Sequence, residues 1–549
     1  MCSLLIKDVL ERGVTVSPRK EIVFREPKRA ELGLDIYVRY TYRDFYSKVC
    51  QVANMLEDLG VGRSDVVTTF ADNSHRHFLL SFAVPMMGAA FEPLTIGLPI
   101  ETNIYVLNKI GRPRILFIDE KFIPLFEEVK DRLETVEKYV IMTDKKELPE
   151  TKLPNVYLYD ELMDKASPNY RFPDDLDENS IATIGNTSGT TGLPKGIAHT
   201  HKEIVVHNLS VSLPDFFGFC QDDVILLAMP LWYFNMWNVQ YAGAMVGAKM
   251  VVPSTLPDGR EVGELIEKEK VTVVIGTSSH VLRWIGDWEK ENWKYDLSSV
   301  NRMLNVLGST YMPLQVARSF FEKTKIRLIP CFGFAEACPM AGAIYPRGDK
   351  WEDIEKLIKT DGVPLPFVKV KVVKTKGGEE VKHDGKEIGF LAVKGIGGGI
   401  IKEYYKNPEA TAKNFDAEGY FYPGDMATID EEGFITNKGR KEDLIKGKEG
   451  FISPFDLEAV IREHPAVREV AAIGVPIGEF EKPVVCVVLK EEYKGRISEQ
   501  ELKKEFEGKV PESWMPDIFF TDMLTRGATG KIDKGRLKKL LLERISTQK

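Results

Sequence analysis

The sequence predicts an α/β protein: a large N-terminal domain of stacked parallel-type sheets with helices, a β-rich subdomain, and a small α+β C-terminal domain. Strand-like apolar runs alternate with longer amphipathic stretches through most of the chain, which is typical of parallel sheets covered by helices. After Val363 the strands become shorter and glycine interrupts them, which indicates the β-rich subdomain. The chain has 549 residues. Hydrophobic cores stop growing at about 250–300 residues, so at least two domains are expected.

The individual elements follow from the spacing of apolar residues. In the large domain, short apolar runs predict strands at Val66–Thr69, Ile115–Ile118, Tyr139–Met142, Val224–Ala228, Met250–Val252 and Val271–Ile275. Apolar residues three and four apart predict helices at Phe45–Leu59, Ile123–Leu133, Asp258–Lys270 and Leu314–Thr324. The β-rich subdomain is expected to contain strands Lys369–Val373 and Phe390–Val393.

A domain boundary is predicted near Gly439, which divides the chain into residues 1–439 and 440–549. The second part carries its own pattern of alternating elements and is large enough to fold alone. Its expected helices and strands are Asp456–Glu463, Val470–Val475, Val484–Leu489, Ser498–Lys509 and Lys534–Ser546.

Composition excludes several classes of function. The formal net charge of −8 argues against a nucleic-acid partner. No apolar run reaches the length of a membrane span, so no transmembrane segment is predicted. The six cysteines show no Cys-x-x-Cys spacing and indicate neither a zinc site nor a disulfide framework. A reduced, cytoplasmic protein is the simplest interpretation.

Residues 187–196 form the most informative segment, which is rich in hydroxyl groups and glycine. Its candidate phosphate-binding residues are Thr187, Ser188, Gly189, Thr190, Thr191, Gly192 and Lys195. Glycine lets the backbone approach a ligand, successive N–H groups form an anion nest, and hydroxyl and ammonium groups add donors for phosphate oxygens. The run Ser180–Gly185 predicts a buried strand before this segment, and the stretch from Lys202 predicts a helix after it. We therefore expect a polyphosphate-binding loop between a strand and a helix; a polar surface turn is the alternative. The spacing differs from that of a Walker A loop.

The segment 187–196 resembles the phosphate loop of the adenylate-forming superfamily, which comprises acyl-CoA synthetases, aryl-CoA ligases, luciferases and the adenylation domains of peptide synthetases. Further motifs follow in the order of that superfamily, between Tyr40 and Leu541. The resemblance implies an AMP-forming acyl-CoA ligase that uses ATP, Mg²⁺ and coenzyme A and acts on a small-molecule carboxylic acid. It also implies that the C-terminal domain moves and carries a catalytic lysine. For the whole chain, assembly as a homodimer stays open.

The segment Cys331–Glu336 resembles the family's aromatic-Gly-x-Thr-Glu motif. The resemblance assigns adenine stacking to Phe332, beside Gly333, and Mg²⁺ binding to Glu336, whose hard oxygens suit that ion. Ala335 replaces the threonine that is usual near the phosphate. A buried strand end with a solvated glutamate is the alternative. A weaker match to the stretch that lines the adenine pocket comprises Gly308, Ser309 and Thr310.

Three further matches concern ribose, the domain hinge and catalysis. Tyr420–Asp425 resembles the family's aromatic-Thr-Gly-Asp turn, in which Asp425 would accept hydrogen bonds from both ribose hydroxyls; Pro423 replaces the usual threonine. The segment 439–445 resembles the hinge motif, which assigns ribose or phosphate contact to Arg440 and the hinge itself to Glu442, where Asp or Lys is usual. The segment 528–533 resembles the C-terminal loop that carries the catalytic lysine. Ordinary surface turns and a solvated lysine are the alternatives. The expected catalytic residues are Thr191, Glu336 and Lys531.

The segment 229–238 lies where the family lines its acyl pocket. Its candidate pocket residues are Trp232, Tyr233, Asn235 and Trp237. Such aromatics are either ordinary core or the wall of an apolar tunnel. Together with Glu512–Pro516 they resemble the medium- to long-chain fatty acyl-CoA synthetases, so a fatty acid is expected as substrate. Two rival hypotheses remain: an adenylation enzyme that loads a carrier protein or another acceptor, and a non-catalytic protein that binds nucleotide or acyl groups.

Overall fold

A computed structural model of the chain describes residues 3–186, 193–233, 238–307, 312–342, 350–462, 464–526 and 532–547. The α-helices within these ranges are α1 (Ile6–Val16), α2 (Tyr42–Asp58), α3 (His75–Met86), α4 (Ile100–Val106), α5 (Ile123–Val129), α6 (Tyr159–Lys165), α7 (His201–Ser212), α8 (Val239–Val246), α9 (Gly259–Glu269), α10 (Ser278–Lys290), α11 (Leu314–Thr324), α12 (Trp351–Ile358), α13 (Pro408–Asn414), α14 (Pro454–Arg462), α15 (Glu499–Lys504) and α16 (Lys534–Thr547).

The strands within the same ranges are β1 (Glu21–Arg25), β2 (Tyr37–Thr41), β3 (Val66–Phe70), β4 (Ala90–Pro93), β5 (Ile115–Asp119), β6 (Lys138–Met142), β7 (Val156–Leu158), β8 (Ile181–Asn186), β9 (Gly196–Thr200), β10 (Val224–Leu227), β11 (Lys249–Val252), β12 (Val273–Thr277), β13 (Arg302–Leu307), β14 (Arg327–Phe334), β15 (Cys338–Gly342), β16 (Val363–Pro364), β17 (Val368–Val373), β18 (Gly389–Gly395), β19 (Asp425–Ile429), β20 (Ile435–Arg440), β21 (Ile445–Gly447), β22 (Gly450–Ile452), β23 (Val467–Ile477), β24 (Phe480–Leu489) and β25 (Asp517–Phe520).

Two large sheets with parallel interiors form the N-terminal domain. One has the strand order β16-β15-β14-β13-β12-β10-β11-β1-β2, and the other β7-β6-β5-β3-β4-β8-β9. Their interior strands are runs of buried branched or apolar residues, as expected where helices cover both faces of a sheet. One core cluster combines residues of both sheets with residues of α2, α3 and α8. The carboxyl ends of parallel strands are therefore held on a rigid frame, which is where ligands bind in such folds.

The two remaining units are smaller. An antiparallel sheet β17-β18-β19-β20 forms the β-rich subdomain. In the C-terminal domain, β23 and β24 form a long antiparallel hairpin and β25 lies parallel to β24. Two separate apolar clusters cover this sheet, one with α14 and α15 and the other with α16. The predicted fold class, including the small C-terminal domain, is confirmed.

Several predicted boundaries are close to those observed, and two local predictions are wrong. The helix predicted for Ser498–Lys509 ends at Lys504, and Ser498 forms its N-terminal capping box with Glu501. The phosphate loop does not lead from a strand directly into a helix. Gly196–Thr200 first returns as β9, antiparallel to β8, and only then does α7 begin, capped by Thr200.

Candidate active site

The β8–β9 hairpin lies at the edge of the second large sheet, and the predicted phosphate loop lies between its two strands in the sequence. Asn186 and Gly196 are opposite each other in this hairpin, so they hold the two ends of residues 187–195. A side chain at Gly196 would approach Ile110 to 2.7 Å and Tyr405 to 3.2 Å, so the close packing here requires glycine. The predicted residues Thr187, Ser188, Gly189, Thr190, Thr191 and Gly192 lie outside the described residues, whereas Lys195 lies within them.

Lys195, Tyr404 and Glu336 meet beside this hairpin. The Tyr404 hydroxyl donates a hydrogen bond to Glu336 Oε1 over 2.5 Å. The Lys195 ammonium lies 4.7 Å from the centre of the Tyr404 ring, within the range of a cation–π contact. Burial lowers the pKa of Lys195, and the nearby Glu336 charge acts against this. Burial and the Glu336 charge together raise the pKa of Tyr404 far above its ordinary value, so its hydroxyl remains a donor.

Backbone contacts bring Tyr404 to this place. Ile197 on β9 forms an isolated β-bridge with Tyr404, and the N–H of Tyr405 donates to the carbonyl of Gly196 over 2.9 Å. The N–H of Ile401 donates to the Glu336 carbonyl, also over 2.9 Å. The segment around Tyr404 therefore ties the phosphate-loop hairpin to the residue predicted to bind metal.

Phe332 and Gly333 lie near the carboxyl end of β14. Phe332 is opposite Leu307, the last residue of the neighbouring parallel strand β13. The register between β14 and β15 shifts between Phe332 and Gly333, and such bulges commonly redirect side chains at functional sites. The predicted residues Gly308, Ser309 and Thr310 come directly after β13 in the sequence and lie outside the described residues.

Asp425 and Arg440 are opposite each other on β19 and β20. Arg440 Nε lies 3.6 Å from Asp425 Oδ1, and the Arg440 guanidinium also donates to the Pro423 carbonyl over 2.6 Å. The amide of Asn437 donates to Asp425 Oδ1 over 3.3 Å. The Asp425 charge raises the pKa of Arg440. The carboxylate is thus held in place while only 9% of the residue is exposed.

These two groups of residues lie near each other. The Glu336 charge also contributes to the raised pKa of Arg440, and Arg440 contributes to the lowered pKa of Lys195. Arg440 therefore lies within electrostatic reach of three other predicted residues, Lys195, Glu336 and Asp425. Lys195 and Arg440 supply two positive charges. The Glu336 carboxylate can bind a metal ion or accept a hydrogen bond, and the Asp425 carboxylate can accept hydrogen bonds from a ligand.

The described part of the predicted acyl pocket follows β10. The Trp232 and Tyr233 rings lie 6.5 Å apart in an edge-to-face arrangement, and both side chains are half-buried. Within the described residues the buried Trp232 Nε1 has no hydrogen-bond partner. Asn235 and Trp237 lie outside those residues.

The link to the C-terminal domain begins directly after Arg440. Lys441–Asp443 forms one turn of 3₁₀ helix in which Glu442 is exposed. Lys438 Nζ contacts Asp456 Oδ1 over 3.0 Å across the link. Lys531, the predicted catalytic residue, lies outside the described residues.

Sequence reasoning missed Tyr404 and His199. His199 is buried on β9, and its Nε2 lies 3.1 Å from the carbonyl oxygen of Ala335. Each residue acts through a partner more than sixty positions away in the chain, so no local pattern marks it. Asn437 could have been found from its position in the sequence, three residues before Arg440. Both residues lie on β20, which pairs with the strand that begins at Asp425.

Two large parallel-containing sheets, a β-rich subdomain and a small C-terminal domain are the architecture of the adenylate-forming enzymes, and the chain has this fold. The chain belongs to the AMP-binding enzyme family: the family pattern matches residues 10–405, and that of the AMP-binding enzyme C-terminal domain matches residues 456–531. Within the described residues, no helix is long and apolar enough to cross a membrane.

Similar proteins include several named CoA ligases. A long-chain-fatty-acid–CoA ligase of Thermus thermophilus is 32% identical over 97% of this chain and 94% of its own length. A medium-chain-fatty-acid–CoA ligase of Ectopseudomonas oleovorans is 30% identical, with 97% and 95% covered. A 3-methylmercaptopropionyl-CoA ligase of Ruegeria lacuscaerulensis is 29% identical, with 97% of each covered. The predicted class, an AMP-forming acid–CoA ligase that acts through an adenylate, is confirmed.

Solved structures agree with this fold. An anthranilate CoA ligase in complex with anthranoyl-AMP superposes with a TM-score of 0.83 over 98% of both chains at 23% identity. ATP-bound MatB from Rhodopseudomonas palustris gives a TM-score of 0.80 at 22% identity, covering 98% of this chain and 99% of its own. At this level of identity the likeness concerns the fold alone.

Proposed function

We propose that the chain activates a medium- or long-chain fatty acid with ATP and transfers the acyl group to CoA. The observation that carries this proposal is the shared site of Lys195, Glu336, Asp425 and Arg440 beside the phosphate-loop hairpin. In this site Lys195, which would bind phosphate, lies near Arg440, which with Asp425 would bind ribose.

The residues divide into groups that bind different parts of ATP. Residues 187–192 and Lys195 would hold the β- and γ-phosphates, Asp425 and Arg440 the ribose. Adenine would lie against Phe332 and Gly333, near residues 308–310. Hydroxyl, backbone N–H and ammonium donors suit phosphate oxygens, and a fixed carboxylate suits paired hydroxyls.

Glu336 fits the role of a Mg²⁺ ligand. Its Oε1 accepts from Tyr404, and among the described residues its Oε2 accepts no hydrogen bond. The described residues contain no group of three or more His, Cys, Asp or Glu that could hold a metal. Mg²⁺ is typically held by one or two carboxylates together with substrate phosphates, so a single glutamate suffices. The bound ion would offset phosphate charge; Tyr404 would keep the Glu336 carboxylate oriented.

The reaction has two steps. The substrate carboxylate attacks the α-phosphorus, and the bond to pyrophosphate breaks, giving acyl-adenylate. The CoA thiol then attacks the acyl carbonyl, loses its proton, and AMP leaves. The protein mainly positions the reactants and stabilises charge, with Lys531 and Thr191 beside the transferring phosphate.

The domain assignment is part of the proposal. Residues 1–439 would bind ATP and the acid, and residues 440–549 would carry Lys531 and rotate about Glu442 between the two steps. The exposed turn Lys441–Asp443 supports this, since a hinge must change its backbone angles freely.

The fatty-acid assignment rests on the aromatic segment 229–238 and on the two fatty-acid ligases among the relatives. A short thioether acid is the second candidate, because a 3-methylmercaptopropionyl-CoA ligase is similar over an equal share of the chain. Activity on a series from acetate to palmitate, with 3-methylmercaptopropionate and anthranilate added, tests the assignment. A preference for either added acid over every fatty acid would contradict it.

Two further measurements separate the rival functions. Pyrophosphate release on addition of ATP and a fatty acid distinguishes an enzyme from a binding protein, and dependence on free CoA distinguishes a ligase from a carrier-loading enzyme. The proposal includes a reduced, cytoplasmic location. Assembly as a homodimer is tested by light scattering of the purified chain.

A further inference from the structure

Glu92 is a buried carboxyl that none of the recognised motifs explains. It lies on β4 and is 0% exposed. Its register neighbour is Thr68 on β3, whose hydroxyl donates to Glu92 Oε2 over 2.7 Å. The residue two positions earlier, Ala90, packs in an apolar cluster with Ile110 and Ile184. A buried carboxyl costs free energy unless it is hydrogen-bonded, so its place in this cluster needs an explanation.

Strand β4, which carries Glu92, pairs with β8, and the side chain of Asn186 at the end of β8 acts on the Glu92 carboxyl. Asn186 is the last residue of β8 and lies opposite Gly196, so these two residues flank residues 187–195 in the sequence. Gly196, at the other end, packs against Ile110. One small region of the sheet therefore supports both ends of the predicted phosphate loop.

Burial disfavours the charged form of the Glu92 carboxyl. Burial raises the pKa of Glu92 to about 7, and the hydrogen bonds with Thr68 and Asn186 act in the opposite direction. Glu92 Oε1 and Asn186 Oδ1 are both buried, and within the described residues neither has a hydrogen bond of ordinary geometry. A neutral carboxyl has an O–H donor in addition to its acceptor oxygens, so it can make hydrogen bonds that a carboxylate cannot. The charged residues of the adjacent turn, Lys109 and Arg112, pair with Glu134 instead.

The room for this carboxyl is provided by Gly111. A Cβ atom at Gly111 would overlap the Glu92 carboxyl oxygens. A substitution at Gly111 therefore tests the position of Glu92 independently, because a side chain there displaces the carboxyl without removing it.

We propose that Glu92 is a positioning residue for the phosphate loop: through Asn186 it fixes the end of β8 from which the loop leaves the sheet. This inference rests on the proposed function, because it assumes that the loop binds the phosphates of ATP. The acyl-adenylate has lost the β- and γ-phosphates. Glu92 therefore serves adenylate formation and is not needed for thioester formation.

The test compares the two half-reactions in Glu92→Val, Glu92→Gln and Gly111→Ala. Adenylation is followed by ATP–pyrophosphate exchange, and the second step by thioester formation from supplied acyl-adenylate. A displacement of about 1 Å near reacting groups costs about 100-fold, so Glu92→Val and Gly111→Ala should lower the adenylation kcat/KM for ATP by about that factor. Thioester formation should be unchanged. Glu92→Gln keeps groups that can bond Thr68 and Asn186 and should restore most of the rate.

The matched control is Glu269→Gln, which removes another buried carboxylate, one paired with Arg39 and Lys249 on the other large sheet. It should leave the ratio of the two half-reactions unchanged. Equal losses in both half-reactions, or an unchanged KM for ATP in folded Glu92→Val, would overturn the proposal. Should Glu92→Val not fold, Gly111→Ala and Glu92→Gln decide the question in the same way. Failure of the proposed function is distinguishable, since the wild type would then show no exchange with any acid, and ATP binding can still be compared by calorimetry.

Discussion

The hydrogen bond from Tyr404 to Glu336 can be removed while the aromatic ring stays. Tyr404→Phe deletes the hydroxyl that donates to Glu336 Oε1 over 2.5 Å and keeps the ring that contacts the Lys195 ammonium. A hydrogen bond to a charged group contributes about 1.5–3 kcal/mol. A difference of 1.36 kcal/mol in activation free energy changes a rate tenfold. If the whole contribution of this hydrogen bond is lost in the transition state of adenylation, kcat/KM for ATP should fall by about 10- to 150-fold.

The assay is ATP–pyrophosphate exchange at several Mg²⁺ concentrations. If Tyr404 orients Glu336 as a metal ligand, the variant should also need more Mg²⁺ for half-maximal rate. The control is Tyr405→Phe, which removes the hydroxyl of a neighbouring half-buried residue. Tyr405 contacts Gly196 through its backbone and Lys406 through its ring, and both contacts remain in the variant. Tyr404→Phe with the wild-type rate and the wild-type Mg²⁺ requirement would refute the reasoning.

Three further outcomes are expected. Lys531→Ala should lower the adenylation rate by at least about 10²–10³-fold and leave thioester formation from supplied acyl-adenylate largely intact; a wild-type rate of adenylate formation would contradict the assignment. Ala335→Thr should lower exchange, because Ala335 is half-buried against the core and overpacking costs about 1–3 kcal/mol; a gain in rate would mean that only a hydroxyl is missing. Burial lowers the pKa of His77 to about 4. The folded state therefore binds this proton less readily than the unfolded chain, whose histidine pKa is about 6.5. The stability that His77 contributes is full above that value and is lost as pH falls towards 4. Between pH 7.5 and 4.5 the wild type should lose more in Tm than His77→Gln, and equal losses would contradict this.

The fold was predictable where local patterns reflect burial, and less so elsewhere. The strands at Ile115–Asp119 and Lys249–Val252 are short apolar runs, and α11 matches its predicted bounds. Helix α3 was not predicted, because every residue from His75 to Met86 is buried. The helix has no polar face, so its sequence lacks the helical alternation of apolar and polar residues. Strand β9 was not predicted either, because the hydroxyl- and glycine-rich loop before it dominates the local pattern.

The residues of the candidate site differ in the same respect: local patterns predicted some of them and not others. Asp425 and Arg440 were found from motifs, and the structure adds that they are opposite each other on paired strands. The resemblance marked Glu336, but nothing local marked Tyr404, which lies far along the chain and reaches Glu336 only through tertiary contacts. Motifs identify residues that touch the ligand. The residues that orient them are fixed by folding and leave no local pattern.

This difference explains why the departures from the family motifs need not abolish activity. At Ala335 the usual hydroxyl is missing, yet the backbone of the same residue is fixed by His199, and the next residue is fixed by Tyr404. Pro423 cannot offer the hydroxyl of a threonine, yet its carbonyl accepts from Arg440. In both cases the backbone of the altered residue is still held near the predicted site residue that follows it, Glu336 or Asp425. Catalysis here depends mainly on position, so the geometry that remains favours an active ligase over a protein that only binds its ligands.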